Sequence, residues 1–348
     1  MEKTYTSRIQ YLDFLRVASM FAIIVLHVSC ENWGEVDVIS FEWQTFNFFD
    51  SISRWGVPVF VMISGALFLR REIPIKKMYC KYIMRLLLSF VFWSVVYAVL
   101  RSGGINERLE ILKYGYYHMW FILMMIGIYM CVPIIKQIVR NKVALKYYLF
   151  LSGIFAFFIP SITTLVSDFG TEKMKNILSV INKNISIMDI QIGLGFATYF
   201  ILGYYLNENP IGKRVRVAIY ILGMIGFVST VVLNSAVSIA GQTQKQNYYG
   251  NFTINVLFES VAVFTWFNQK KWGDKKISSL VQKLSKHEFG AYIIHVLVLE
   301  QLNNRLGLNA LSFNPALSVI CISVIVFVIS FASSAILNRI PIVNKYIL

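Results

Sequence analysis

The stretch Tyr11-Leu-Asp-Phe-Leu-Arg16-Val-Ala-Ser-Met-Phe-Ala-Ile-Ile-Val-Leu-His27-Val-Ser29 reads as a membrane-spanning helix, yet it holds Arg16 and His27. A charged side chain near mid-membrane costs roughly 2.5–3.5 kcal/mol on insertion scales, so both residues are expected to face a protein interior or a wet cavity rather than lipid. They stand eleven positions apart. At about 100° and 1.5 Å per residue this puts both on one helix face, roughly 16 Å apart along the axis. One face then presents a cation near one end and an imidazole near the other.

The rest of the chain extends this reading. Of 348 residues 57% are hydrophobic and only 15% charged, and apolar runs near the length of a bilayer crossing recur, which defines a multi-pass membrane protein. Hydropathy predicts an all-α protein of ten transmembrane helices, at 12–30, 47–69, 82–100, 117–135, 146–166, 190–206, 217–239, 251–268, 288–304 and 314–337. Residues 1–348 are read as one membrane domain with no appended soluble domain.

A net charge of +15 would suit nucleic acid, but its distribution follows membrane topology instead. Under the ten-span model, one set of connecting segments (the N-terminus, 70–85, 136–146, 213–216, 270–286 and the C-terminus) holds 23 Lys and Arg, against 8 on the other side. The positive-inside rule therefore predicts that both termini are cytoplasmic. The 31–46 loop, with Glu31, Glu35, Asp37 and Glu42 and no basic residue, falls outside as this requires.

Lys3 and Arg8 imitate the basic region of a signal peptide, but the following run contains Asp13, Arg16 and His27 and ends without a small-x-small pattern, so an uncleaved anchor is expected. Cys30, Cys80, Cys131 and Cys321 lack metal-ligand spacing and are read as packing residues with no disulfide framework. No metal site is expected. The chain has no fixed-period repeat and no long flexible linker.

Tyr11-Leu-Asp-Phe-Leu-Arg16 followed by His27 resembles the opening of the acyltransferase-three family of membrane proteins, with its Arg-x10-His element. Ser53-Arg54-Trp-Gly-Val-Pro58-Val-Phe-Val-Met-Ile-Ser64-Gly65 is similar to that family's Val-Pro-x-Phe-x-x-x-Ser-Gly stretch. His118-Met-Trp120-Phe-Ile and Phe289-Gly290-Ala-Tyr292-Ile-Ile-His295 resemble two further landmarks. The four matches keep the family's order from residue 11 to 295. The resemblance is to stand-alone O-acetyltransferases of surface polysaccharides.

That resemblance implies an enzyme of the bacterial plasma membrane that takes acetyl from cytosolic acetyl-CoA, a substrate rather than a resident cofactor, to a hydroxyl of an envelope glycan or lipid-linked saccharide. Arg16, near the cytoplasmic end of its helix, would hold a coenzyme A phosphate through bidentate charge-assisted bonds. Arg70, Arg71 and Arg85 of the basic 70–85 loop would extend the donor site. His27 would act either as general base on the acceptor hydroxyl or as carrier of the acetyl group. Arg54, His118, Trp120, Tyr292, His295 and Glu259 are the candidates for acceptor binding or support.

Each assignment has a plainer competitor. Arg16 also reads as a snorkelling residue, and His27 as an interhelical hydrogen-bonding group. Tyr116, Tyr117, His118 and Trp120 together form an ordinary interfacial aromatic belt. Tyr292 and His295, three apart on one face, serve as packing glue equally well. Arg54 anchors a helix end or binds an anionic acceptor; Glu259, mid-span in the eighth helix, orients a histidine or stays protonated. Pro58, Ser64 and Gly65 are expected to kink and pack the second helix. The basic loops would contact anionic lipid, and the external 167–189 loop, with Asp168, Glu172 and Asp189, is long enough to join an acceptor cleft. The main alternative is a transporter or flippase of a glycan or small organic acid, but no pair of matching broken helices supports it. Partners would be acyl-CoA, an envelope saccharide or lipid-linked glycan, membrane lipid and, in a homo-oligomer, a second copy of the chain, with no nucleic acid.

Overall fold

The computed structural model describes residues 9–348 except 102, 103, 189, 191–193, 271, 273 and 274. The expectations for Lys3, Arg8 and Asp189 lie outside the described residues. Among those described, every regular element is helical. α1 (Gln10–Glu31) buries residues around most of its circumference, from Leu12, Asp13 and Leu15 to Ile23, Ile24 and Val28. A helix apolar all round belongs in the middle of a bundle. α1 accordingly packs against the next two helices, α2 (Phe41–Ser53) and α3 (Gly56–Phe68), and against three helices late in the chain.

The second span is interrupted one turn before Pro58. α2 ends at Ser53 and α3 begins at Gly56, so the break falls at Arg54-Trp55. Pro58 sits in the first turn of α3 and has no N–H to offer the Arg54 carbonyl four residues back, so a continuous helix through Arg54 is disfavoured. A short α4 (Ile75–Lys77) and a wider turn at Met78–Ile83 lead into α5 (Met84–Leu100). α6 (Ile105–Tyr114) ends at Gly115, whose φ of +76° turns the chain into a 3₁₀ turn, Tyr117–Met119, before α7 (Trp120–Arg140). α8 (Lys142–Ser152), capped by the Asn141 side chain on the Val143 and Ala144 N–H groups, continues through a bulged turn into α9 (Ile159–Phe169). The expected 167–189 loop is largely a helix, α10 (Glu172–Met188), which has no buried residue.

α11 (Phe196–Glu208) crosses α3 at backbone contact. A Cβ on Gly65 would stand 1.7 Å from the Phe200 carbonyl oxygen, and one on Gly203 2.0 Å from that of Met62. Small residues let membrane helices meet this closely, and here one glycine from each helix does so. Then follow α12 (Lys213–Gly241), α13 (Ile254–Gln269), α14 (Lys275–Leu306), α15 (Pro315–Leu337) and α16 (Pro341–Tyr346). α13, α14 and α15 are the late helices that contact α1.

Among the described residues seven helical stretches are long and apolar enough to cross a membrane: 10–35, 41–68, 75–100, 105–140, 142–169, 213–241 and 315–337. They overlie seven of the ten expected spans. The other three are helical too, as α11 with 13 residues, α13 with 16 and α14 with 32. The first two are short, and Glu288, His295 and Glu300 dilute the apolarity of α14. Val91, Val95 and Val99 on α5 and Ile221, Met224 and Val228 on α12 are exposed, as side chains meant for lipid should be. Among the cysteines only Cys30 is half-buried; Cys80, Cys131 and Cys321 are exposed rather than packed, and all four are free.

Candidate active site

His27 lies one turn before the end of α1 and is half-buried. Two more imidazoles close on it: the His295 ring is 5.0 Å away, centroid to centroid, and His118 stands 5.3 Å beyond His295. The sequence suggested an interfacial belt for His118, whereas the Gly115 turn tucks it inward until 2% of it is exposed. His295 is 0% exposed, deep on the inner face of α14.

Main-chain carbonyls hold these rings. His118 Nε2 faces the Ile293 carbonyl at 3.2 Å, and His295 Nδ1 faces that of Tyr292. The Tyr292 hydroxyl in turn donates to the carbonyl of His118, so the pairing of Tyr292 with His295 on one face does join the site. Tyr97, absent from the expected set, donates to the Ile293 carbonyl at 2.7 Å and accepts from the Leu297 N–H at 3.3 Å. It therefore braces α14 on both sides of His295. Tyr97 stacks on Tyr116 with centroids 4.6 Å apart.

His27 forms part of the wall of a cavity of about 820 Å³ that also meets Cys30, Glu31, Arg101, Tyr117, Glu300 and Asn303. This size suits a small-molecule or sugar ligand. Its polar wall is internally paired: Glu300 accepts from Arg101 at 3.0 Å and from the Tyr116 hydroxyl, and Arg101 also bonds Glu107 at 2.6 Å. Among the described residues no group of three His, Cys, Asp or Glu side chains is arranged to hold a metal ion.

The other end of α1 is built from ion pairs. Arg16 Nε is 3.5 Å from Glu288 on α14, with the Arg16 side chain 29% exposed. Three residues before that acid, Ser285 donates to the buried Asp13 at 2.8 Å. Glu288 was visible in the sequence as an acid beside the Phe289-Gly290 element; nothing local to it named Arg16 as its partner. Arg70 pairs with Glu208 at 2.9 Å beside Lys136 and Arg140, both bonded to Glu72. Arg70, Lys136, Arg140 and Glu208 line a second, smaller cavity of about 210 Å³. Arg71 and Arg85 are exposed.

Three expected residues stand apart from the histidines. Arg54, in the α2–α3 break, pairs with Asp50 at 2.5 Å and lies 4.0 Å over the Tyr249 ring. Asp50 accepts from the Cys30 thiol at 3.1 Å, so Arg54 supports the cavity wall from behind. Trp120 is 41% exposed and packs on Phe196. Glu259 is buried on α13, accepts from Thr230 at 3.0 Å, and borders a lateral groove with Trp55, Gly223 and Trp266.

Comparison with curated proteins and with solved structures returns no match. The family model described as an acyltransferase domain, acyltransferase family 3, matches residues 9–335. That span takes in every helix from α1 to nearly the end of α15, together with His27, His118, His295 and Arg16, and the protein therefore belongs to the acyltransferase-three family of membrane acyltransferases.

Proposed function

We propose that this acyltransferase is an O-acetyltransferase of the bacterial plasma membrane, moving acetyl from cytosolic acetyl-CoA to a hydroxyl of an envelope glycan or lipid-linked saccharide. Ten spans with both termini cytoplasmic put the ion-paired end of α1 on the donor side and the histidine end on the acceptor side. The observation that carries the reading is the placement of His27 on the wall of the 820 Å³ cavity, with Arg16 at the opposite end of the same helix. The eleven-residue separation corresponds to roughly 16 Å of helix. An extended pantetheine arm held by its phosphates near Arg16 and Arg70 is suited to bridge that distance.

In the transfer, the acceptor hydroxyl gives its proton to His27 as its oxygen attacks the thioester carbonyl. The C–O ester bond forms, the C–S bond breaks, and His27 returns the proton to the leaving sulfur. General-base assistance of this kind typically contributes ~10²–10⁴ in rate. Arg16 exchanges Glu288 for phosphate when the donor arrives, which its partial exposure permits.

The test is acetyl transfer from labelled acetyl-CoA in membranes holding matched amounts of wild type or His27→Ala, with label followed into saccharide and into the protein itself. Label in saccharide from the wild type alone supports the proposal. Label trapped on the wild-type chain would turn His27 from a base into an acetyl carrier. No transfer and no acyl-CoA binding by the wild type would sink the reading.

A further inference from the structure

Two buried nitrogens in the histidine cluster have no hydrogen-bond partner, His295 Nε2 and His118 Nδ1. Each belongs to a ring whose other nitrogen meets a main-chain carbonyl. A carbonyl has no proton to give, so His295 carries its proton on Nδ1 and His118 on Nε2. The remaining nitrogens are bare acceptors. A buried acceptor left unfilled costs about 1–3 kcal/mol, and each such group in a native structure calls for a reason.

Elimination among the neighbours supplies one. His118, whose ring is 5.3 Å from His295, has committed its single proton to the Ile293 carbonyl. The Tyr292 hydroxyl is committed to the carbonyl of His118, and that of Tyr97 to Ile293. The neighbouring ring with an N–H still to place is His27, 5.0 Å from His295 with 51° between the planes.

We propose that His295 is a positioning residue for His27: when the half-buried His27 ring turns toward it, the bare Nε2 of His295 accepts the N–H of the His27 nitrogen facing it, which leaves the opposite nitrogen of His27 bare toward the cavity. This rests on the reading of His27 as general base. His295 neither gains nor loses a proton in the transfer; it selects which His27 nitrogen receives one. A carboxylate would orient the ring equally well, but an ionised group buried among apolar helices carries a desolvation cost that a neutral imidazole avoids. Tyr97 serves the same end by fixing α14 through the Ile293 carbonyl and the Leu297 N–H, the steps that flank His295.

Nitrogen-15 NMR of the full chain in lipid nanodiscs, labelled at its four histidines, tests this directly. The wild type should show His295 protonated at Nδ1 and His27 as one tautomer. His295→Ala should convert His27 to a tautomer mixture and lower kcat for acetyl transfer about 10²-fold, with the KM for acetyl-CoA held. His295→Gln should restore both, since its amide can donate to the Tyr292 carbonyl while its oxygen accepts from His27. A wild-type His295 protonated at Nε2, or at both nitrogens at neutral pH, overturns the proposal. So does a His27 signal that neither variant moves, or one that both disturb alike. The wild-type spectrum requires no acyl transfer, so failure of the positioning role and failure of the acyltransferase chemistry are told apart.

Discussion

The two ends of α1 solve the problem of polar groups in a membrane in opposite ways. At the Arg16 end, cations are matched by acids: Arg16 with Glu288, Arg70 with Glu208, Lys136 and Arg140 with Glu72. At the His27 end the contacts immediately around the histidines are neutral, made by three imidazoles, Tyr97, Tyr292 and main-chain carbonyls. Paired charge that is partly exposed can change partners when an anionic ligand arrives. Neutral groups with fixed tautomers cannot do that, but they can direct a proton. The difference teaches that one helix carries a charged, exchangeable end and a neutral, fixed end, the polarities that the proposed binding and chemical roles require.

Breaking the chemical end should have the largest effect. His27→Ala should cost ~10²–10⁴ in kcat while leaving acyl-CoA binding and the melting temperature near wild type. The comparison would be wrong if donor binding collapsed as well. Next comes the contact that ties α3 to α11. Gly65→Ala pushes a methyl group into the Phe200 carbonyl, for which overpacking should destabilise the protein by about 3 kcal/mol. Thermal unfolding in detergent reads this, and both ends should fail together because α3, Gly56–Phe68, packs along α1 between them.

Arg16→Lys sharpens the comparison by keeping charge and removing the guanidinium fork. It should raise the KM for acetyl-CoA about tenfold, worth ~1.4 kcal/mol, with kcat nearly unchanged. An equal fall in kcat would place Arg16 in the transition state instead. The smallest effect is expected at Glu72, whose carboxyl is held below its ordinary range by hydrogen bonds from Arg140 and then Lys136. A lowered folded value means the pairing stabilises at neutral pH and is lost as pH falls through that value. Because Glu72 is 77% exposed, Glu72→Gln should cost under ~1 kcal/mol at neutral pH, and the deficit should vanish in acid.

Much of the fold was legible because membrane helices announce themselves locally. Seven of the expected spans recur as long apolar helices, since a run of apolar side chains needs no tertiary contact to be recognised. The polar helices were harder to place. Hydropathy marks only 288–304 of α14, which begins at Lys275, and does not mark α10, whose amphipathic pattern buries nothing. Pro58 is a strong local signal for an interruption in the second helix, and the break falls one turn before it; that Arg54 there is held by Asp50 and Tyr249 is not a local signal.

The candidate site divides in the same manner. Arg16 and His27 on one face follow from helical periodicity, and Tyr292 with His295 likewise. Spacing could not say that His118 would leave the membrane interface to meet a carbonyl 175 residues away, or that Trp120, two positions on, would remain outside. Nor could it find Tyr97, whose hydroxyl is an unremarked aromatic in an apolar helix until α14 lies against it.

By itself the sequence determined that this chain lives in a membrane, belongs among the acyltransferases and aligns a cation and an imidazole along its first helix, because hydropathy, motif order and periodicity are all properties of neighbouring residues. Only the tertiary structure decided which histidines gather, which nitrogen of His118 and His295 stays bare, and which acid answers Arg16. Those are contacts between helices far apart in the chain, set by how close each pair of backbones can approach.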